Sequence, residues 1–275
     1  MFRSLFIYEL EKFWFKKINV LCFLCIPIIV LLSLKFSLTT NNSVKPIDVA
    51  FSSNLNFHIT SLQEMLFTAF NAIVITFCAL SFHEEYRKGY LRMALTRGIS
   101  IKKLYLVKSL VLALNVFLIL LLQFLISYFI GLIALPKLHE SALFFKDGLY
   151  DMKDIIIFSF KYYLLAYMSL ITFGSIIEFI SLKCKSITGV IGLSLGFLFT
   201  NILLYVVIGY FVQEYPDNHP TALKYESLSL LFTQVKGAAY FAAGVSNVFI
   251  YTLIVTLVIF KILSYISFTN TDYLD

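Results

Sequence analysis

Charge is what this sequence has least of. Asp, Glu, Lys and Arg make up 14% of its 275 residues, where a soluble domain carries about 25%. With 60% hydrophobic residues and a mean hydropathy of +0.86, it has too little polar surface to cover a water-soluble particle of this size. Cysteine is also scarce. None of Cys22, Cys25, Cys78 and Cys184 falls in a segment expected outside the cell, so no disulfide framework is implied. Cys22 and Cys25 have CxxC spacing, but they stand in an unbroken apolar run, where cysteine behaves as a small hydrophobe.

Several motifs are missing as well. Without G-x-x-x-x-G-K-[ST] the chain has no P-loop with which to hold ATP phosphates. H-E-x-x-H and G-x-S-x-G are absent too. His58, His83, His139 and His219 are scattered without ligand spacing, so no metal site is expected. No catalytic residue emerges, and the chain does not read as an enzyme. The first apolar run is too long for a signal-peptide core and lacks an A-x-A end, so it reads as a span.

What the sequence does have is long apolar runs. A spanning helix needs about 20 mostly apolar residues. Residues 18–38, 62–82, 104–135, 155–182, 187–212 and 239–268 qualify. Peptide groups in lipid must bond within their own segment, and these runs are too long and uniform for barrel strands. The expected fold is an all-α integral membrane domain covering 1–275, with six transmembrane helices.

Loop charge sets the expected orientation. Arg3, Lys12, Lys16 and Lys17, then Arg87, Lys88, Arg92, Arg97, Lys102 and Lys103, then Lys183 and Lys185 fall on one side. The other side has Lys45, Lys137, Lys146, Lys153, Lys224 and Lys236, spread over longer loops. The positive-inside rule then puts both termini in the cytoplasm. It also explains the net charge of +6 without a nucleic-acid partner. Lys35 and Lys161 lie toward outer span ends, and Lys108 and Lys261 toward inner ends, where snorkelling is expected.

Residues 1–17 read as an amphipathic helix lying in the inner interface. Phe2, Phe6, Ile7, Leu10, Phe13 and Trp14 share one arc, and Ser4, Tyr8, Glu11, Lys12 and Lys16 the other. The outer loop 213–244 opens with turn chemistry at Pro216, Asp217, Asn218 and Pro220, then becomes apolar and small. It reads as a re-entrant helical piece, serving either as a gate or as an ordinary cap. Glu64 opens the second span and is expected at the outer interface. Glu178 lies deep in the fourth span, where a charge costs about 2.5–3.5 kcal/mol at mid-bilayer. Three roles stay open for it: pairing with another helix, lining a path, or snorkelling toward Lys183. Gly192 and Gly196 form a GxxxG, read as helix packing.

The segment 83–103 is far too charged to span. Glu84, Lys88 and Arg92 stand four apart, so a short surface helix is expected, with Leu91, Ala94 and Leu95 on its apolar side. Gly98 ends it and Ser100 can cap the next helix. A stiff charged helix fixed at both ends to spans can transmit a push from a soluble partner.

Here the chain resembles the permease subunits of ABC-2 type transporters, in particular the bacitracin/lantibiotic-protection and drug-export branch of Gram-positive bacteria. That family reads roughly E-Y-R-x-G-T-L-R, a short apolar stretch, T-R, and a Ser-led basic run. This chain has Glu85-Tyr86-Arg87-Lys88-Gly89-Tyr90-Leu91-Arg92, then Leu95-Thr96-Arg97 and Ser100. It departs at Tyr90, where Thr is usual, and at Gly98-Ile99, where Pro-Val is common. Tyr8-Glu9-Leu10-Glu11-Lys12 also looks like the family's N-terminal segment. The resemblance covers the whole chain in layout and about 20 residues in motif.

The resemblance implies that 83–103 is a coupling helix docking on a separate cytoplasmic ABC ATPase subunit. Glu84, Glu85, Tyr86, Arg87, Gly89, Leu91, Arg92, Leu95 and Arg97 would form the interface. ATP and Mg would be bound on that partner, with no cofactor on this chain. A second permease chain, identical or related, would complete an exporter of an amphipathic peptide, drug or lipid-like substrate in a bacterial cell membrane. Three rivals are weighed against it. A secondary transporter or channel would be expected to show inverted repeats. An anchor or sensor subunit would transport nothing. An intramembrane CAAX-type protease needs E-E-x-x-x-R, but position 89 is Gly.

Overall fold

The computed structural model describes residues 2–83, 100–213, 215 and 219–270. Most of the expected coupling segment, residues 84–99, and Pro216, Asp217 and Asn218 lie outside these described residues. The fold is all-α apart from one short hairpin. Six of its helices are long and apolar enough to cross a bilayer.

Helix α1 (Phe2–Phe15) precedes the first span, α2 (Lys17–Asn41). The next spans are α3 (Phe57–His83), α4 (Ile101–Ala134), α5 (Met152–Lys183) and α6 (Ile187–Val212). Short α7 (Pro220–Glu226) and α8 (residues 230–243) come before the last span, α9 (Val248–Thr269). We call the end of the bundle that holds α1 and the last turn of α9 proximal, and the opposite end distal.

Burial separates posts from wrapping. The apolar windows of α3 and α5 are 67% and 72% buried, against 22%, 22% and 17% for α2, α6 and α9. The core is therefore built on α3 and α5, and the other spans keep broad apolar faces outward for lipid.

Helix α1 divides its surface three ways. Leu5, Glu9 and Phe13, spaced by four, are buried against the protein. Ile7 and Trp14 stay exposed on an apolar side, and Ser4, Tyr8 and Glu11 on a polar one. This corrects the two-sided sequence pattern, which missed the protein-facing stripe because Glu9 interrupts it. One non-helical residue, Lys16, separates α1 from α2. Phe13 packs edge-on against Phe77 of α3 with centroids 4.8 Å apart.

Helix α3 begins five residues earlier than the apolar run, because Phe57–Leu62 is wholly buried. Glu64 is consequently not at the opening of the span. It lies about 10 Å below the first residue at 1.5 Å per residue, and it accepts a 2.5 Å hydrogen bond from Ser33 of α2. Ser100 occupies the N-cap position of α4, but its side chain makes no cap bond.

Between α4 and α5 the chain forms an antiparallel hairpin of β1 (Glu140–Ala142) and β2 (Leu149–Asp151). Strands of only three residues are too short for an alternating pattern to register, so none was expected there. In the hairpin loop Phe145 adopts a left-handed backbone (φ 58), and its ring stacks on Tyr240 of α8 at 3.9 Å.

The last span starts later than the expected residue 239. Gly244 takes a left-handed conformation (φ 80) and ends α8. Its N–H bonds Phe241 O, and Val245 N–H bonds Tyr240 O at 3.0 Å, a helix stop that favours glycine. Residues 239–243 are as apolar as a span, but they belong to α8. Where α8 meets α9, a methyl group on Gly237 would stand 2.6 Å from the ring of fully buried Phe249. Gly237→Ala should therefore destabilise the bundle by about 1–3 kcal/mol through overpacking. A lowered thermal unfolding midpoint in detergent would show this, and an unchanged midpoint would refute it.

Candidate functional site

Two ion pairs lie inside the proximal end, around the entry to α4. Glu178 of α5 has no exposed surface. Its two carboxylate oxygens accept hydrogen bonds of 2.7 and 2.8 Å from Lys261 Nζ of α9. The same ammonium donates to Ser109 of α4. The Tyr105 hydroxyl stands 3.3 Å from Glu178 and 3.4 Å from Lys261 O. Three helices thus meet on one carboxylate. Of the roles left open for Glu178, pairing with another helix is the one present.

A second ion pair lies one turn further along α4. Lys108 Nζ donates to Glu9 of α1 at 2.7 Å, and the two side chains are only 3% and 7% exposed. Snorkelling was expected of both Lys108 and Lys261. Instead each meets a carboxylate inside the protein, because extending to an interface would leave a buried acid uncompensated.

Two further bonds hold the end of α3. Lys16 Nζ donates to Leu80 O at 2.6 Å, and His83 Nδ1 lies 3.1 Å from Ser181 O of α5. Both helix ends that flank residues 84–99 are therefore tied to α1 and α5, and the α4 end also to α9. The expected interface residues Glu84, Glu85, Tyr86, Arg87, Gly89, Leu91, Arg92, Leu95 and Arg97 all lie outside the described residues.

Mid-height polarity joins α8 to the core. Asn71 Nδ2 donates to Gln234 Oε1 at 2.8 Å, Gln234 Nε2 returns a bond to Asn71 Oδ1 at 3.2 Å, and it also reaches Ser169 at 3.4 Å. Both helices are wound as π-helix beside this pair, at Leu66–Phe70 and Thr233–Gly237. Such bulges free backbone groups and recur at functional sites. Gln63 fills one vacancy by donating to Val235 O at 3.1 Å.

On the outer surface, α3 and α6 each carry a line of small and polar residues at helical spacing. On α3 these are Glu64, Thr68 and Ala72, all exposed, followed by half-buried Thr76; on α6 they are Thr188, Gly192, Gly196 and Thr200, all exposed. Among the described residues nothing lies within 4 Å of where a Cβ on Gly192 or Gly196 would stand. The most crowded glycines are Gly237, Gly189 and Gly131, where a Cβ would meet a neighbour at 2.6, 3.0 and 3.2 Å, and no motif marks them.

Distally, a cavity of about 580 Å³ opens between α4 and α5, with the start of α3 at its back. Its wall is almost wholly apolar, from Phe117, Leu121 and Phe124 across to Phe160 and Leu164. Buried polar groups stand behind this wall. Ser159 donates to Ile155 O at 2.6 Å, which leaves His58 Nε2 as the donor in its 2.6 Å bond to Ser159 Oγ. Tyr163 OH lies 2.7 Å from Gln123 Oε1 and 2.9 Å from His58 O. Sequence reading missed this network because each member is a single polar residue in an apolar run.

Six spans joined through buried charges and amides define a multi-pass membrane protein that lies in a lipid bilayer. The family model described as "Protein of unknown function (DUF2705)" matches residues 27–274, and the chain belongs to that family. No curated protein matches it.

The Glu178–Lys261 pair gives a direct test of the proximal network. Glu178→Ala leaves an unpaired ammonium and should cost about 3 kcal/mol, the low end for a broken buried pair because Lys261 is partly open. The double variant Glu178→Leu/Lys261→Met should recover most of that loss. Thermal unfolding in detergent measures both, and additive losses would show that the two groups do not act as a pair.

Proposed function

We propose that this chain is the membrane-spanning subunit of an ATP-driven exporter of the ABC-2 type. The segment 83–103 docks on a separate cytoplasmic ATPase subunit. ATP and Mg are bound and turned over on that partner, and both termini of this chain face it.

The observation that carries this reading is the set of ties on either side of residues 84–99. A loop that only set topology would need basic residues and no buried anchors. Here the helix end before the loop is held by Lys16 and by Ser181 O. The helix end after it is held by Glu9, and by Lys261 together with Glu178. A displacement of the loop must move α1, α5 and α9 with it, as mechanical coupling to a motor requires.

The exposed lines on α3 and α6 support a second chain. Hydrocarbon cannot solvate the exposed carboxylate of Glu64, and the small residues of these lines leave room for a close approach. A second copy, or a related chain, facing them would enclose a polar path between two subunits. Residues 230–243, bonded to the middle of α3 and α5, dip into the bilayer from the outer side and close that path distally. Helix α1 lies in the inner interface, with its exposed aromatic side in lipid. The substrate class that fits such a path is an amphipathic peptide, drug or lipid-like molecule.

The interface is tested by co-purification with a P-loop ATPase, expected from a neighbouring reading frame. The ATPase should be retained by the unaltered chain and lost with Glu85→Lys or Arg92→Glu. A chain that purifies alone and transports without nucleotide would sink the proposal. The second-chain face has its own test. Gly196→Ile meets no neighbour within the chain, so the monomer should keep its unfolding midpoint while light scattering shows the dimer dissociating. A dimer that tolerates isoleucine there would place the interface elsewhere.

A further inference from the structure

The distal cavity between α4 and α5 is independent of the transport reading. Its wall runs from Phe117 to Leu132 on α4 and from Tyr167 to Met152 on α5. Both stretches give a length of about 22 Å at 1.5 Å per residue. A volume of about 580 Å³ over that length leaves a cross-section of about 26 Å², so the cavity is a slot the width of one hydrocarbon chain. It opens sideways to lipid, where Leu121 and Phe160 are exposed.

Polarity is uneven along the slot. The end nearest the bilayer middle is formed by Phe117, Leu120, Leu121 and Leu164, and the Tyr167 hydroxyl there already donates to Ala113 O at 3.3 Å. Its middle and distal end carry Asn54, His58, Tyr128 and Ser159. Among the described residues no Asp, Glu, Lys or Arg lines any part of it.

One of these polar groups is left unfinished. His58 is only 4% exposed. With no acid in the wall, a charged imidazole would be uncompensated, so the ring is neutral. Its Nε2–H is given to Ser159 Oγ, which makes Nδ1 an acceptor. Nδ1 has no hydrogen-bond partner among the described residues. A buried acceptor without a donor is costly, and a ligand that brings an O–H removes that cost.

We propose that this slot binds an uncharged single-chain lipid with a hydroxylated head, of the monoacylglycerol class. The chain lies along Phe117, Leu121 and Leu164, and a head hydroxyl donates to His58 Nδ1. The head then points distally and the tail toward the bilayer middle, as in any lipid of that leaflet. Each property of the slot selects one feature of the ligand. Its width admits one chain, its lack of charge disfavours an ionic head, and its bare acceptor calls for a donor. Nδ1 has almost no surface of its own, so the hydroxyl reaches it as a neighbouring ring turns aside. The rings of Phe124 and Tyr128, half-buried and 5.1 and 6.4 Å from the imidazole, are placed for this.

Retention of isotope-labelled lipid by the full chain, after gel filtration in non-ionic detergent, tests this. The probes are a monoacylglycerol, the methyl ester of the same fatty acid, which has no donor, and the phosphate monoester of the same monoacylglycerol. The monoacylglycerol should be retained about ten-fold over the methyl ester, as one hydrogen bond to an otherwise unpaired buried acceptor allows. The phosphate monoester should be retained less than its uncharged parent. His58→Phe should abolish the preference over the methyl ester. Leu121→Trp, on the lipid-facing rim and apart from His58, should lower monoacylglycerol retention by filling the slot, and it tests the site even if the imidazole proves necessary for folding. Equal retention of monoacylglycerol and methyl ester by the unaltered chain would overturn the proposal. So would stronger retention of the phosphate monoester, or a folded His58→Phe chain that keeps the preference. Lipid merely dissolved in the detergent belt would be held equally by the Leu121→Trp chain, and that result would overturn it too.

Discussion

An ammonium group inside an apolar bundle persists only where a carboxylate meets it, and the proximal half of this molecule is arranged around two such meetings. Lys108 with Glu9 and Lys261 with Glu178 join segments that lie far apart in sequence. Each pair is costly to form and more costly to break, because removing one partner strands the other in a medium that cannot solvate it. The pairs therefore fix which helices are neighbours more than they add net stability. Helix α4 takes part in both. Lys108 grips α1, while Tyr105 and Ser109, four residues apart, address α5 and α9. Its entry is the point through which the proximal segments are connected.

Neutral groups hold the middle of the bundle. The amide pair of Asn71 and Gln234 carries α8 to the middle of the bundle, where its backbone is covered by α3 and α5 rather than by lipid. Backbone at that depth survives only under such cover. Small residues allow the approach: Ala238, Ala239 and Ala242 are buried, and Gly237 lies flat against Phe249. The hairpin closes over the same helix through the stack of Phe145 on Tyr240. Ion pairs thus join the proximal segments, and amides and small side chains join α8 to the core.

The spans were legible because a run of 20 apolar residues has few other uses. Their partners were not. Nothing in the local pattern of Glu9 or Lys108 distinguishes a buried pair from two interfacial residues, since the pairing depends on a contact across 99 positions. The boundary of the last span failed for a similar reason. Hydropathy runs unbroken through Ala239–Ala243, and only the backbone turn at Gly244 separates the helices. Glycine spacing did not show which surface is met, for Gly192 and Gly196 match a packing motif yet have no neighbour within 4 Å of a Cβ among the described residues, while Gly237 matches none and is crowded. A motif records what a residue permits, and the opposing surface decides whether it is used. One further signal was available. Two acids and two lysines within or beside apolar segments, at compatible depths, form a neutral set that invites pairing.

The single extended residue between α1 and α2 makes α1 an arm on a pivot. Lys16 holds that pivot to the end of α3. Glu9, where α4 takes hold, lies about 10 Å along the arm, and Phe2 lies about 21 Å along it. Travel at the grip is therefore roughly doubled at the tip. A shift of 1 Å where α4 enters swings the arm by about 6°, with no bending of either helix, and reappears as about 2 Å at the start of the chain. The ion pair of Glu9 and Lys108 is in this sense the point where the arm is driven, and its distance from the pivot sets the gain.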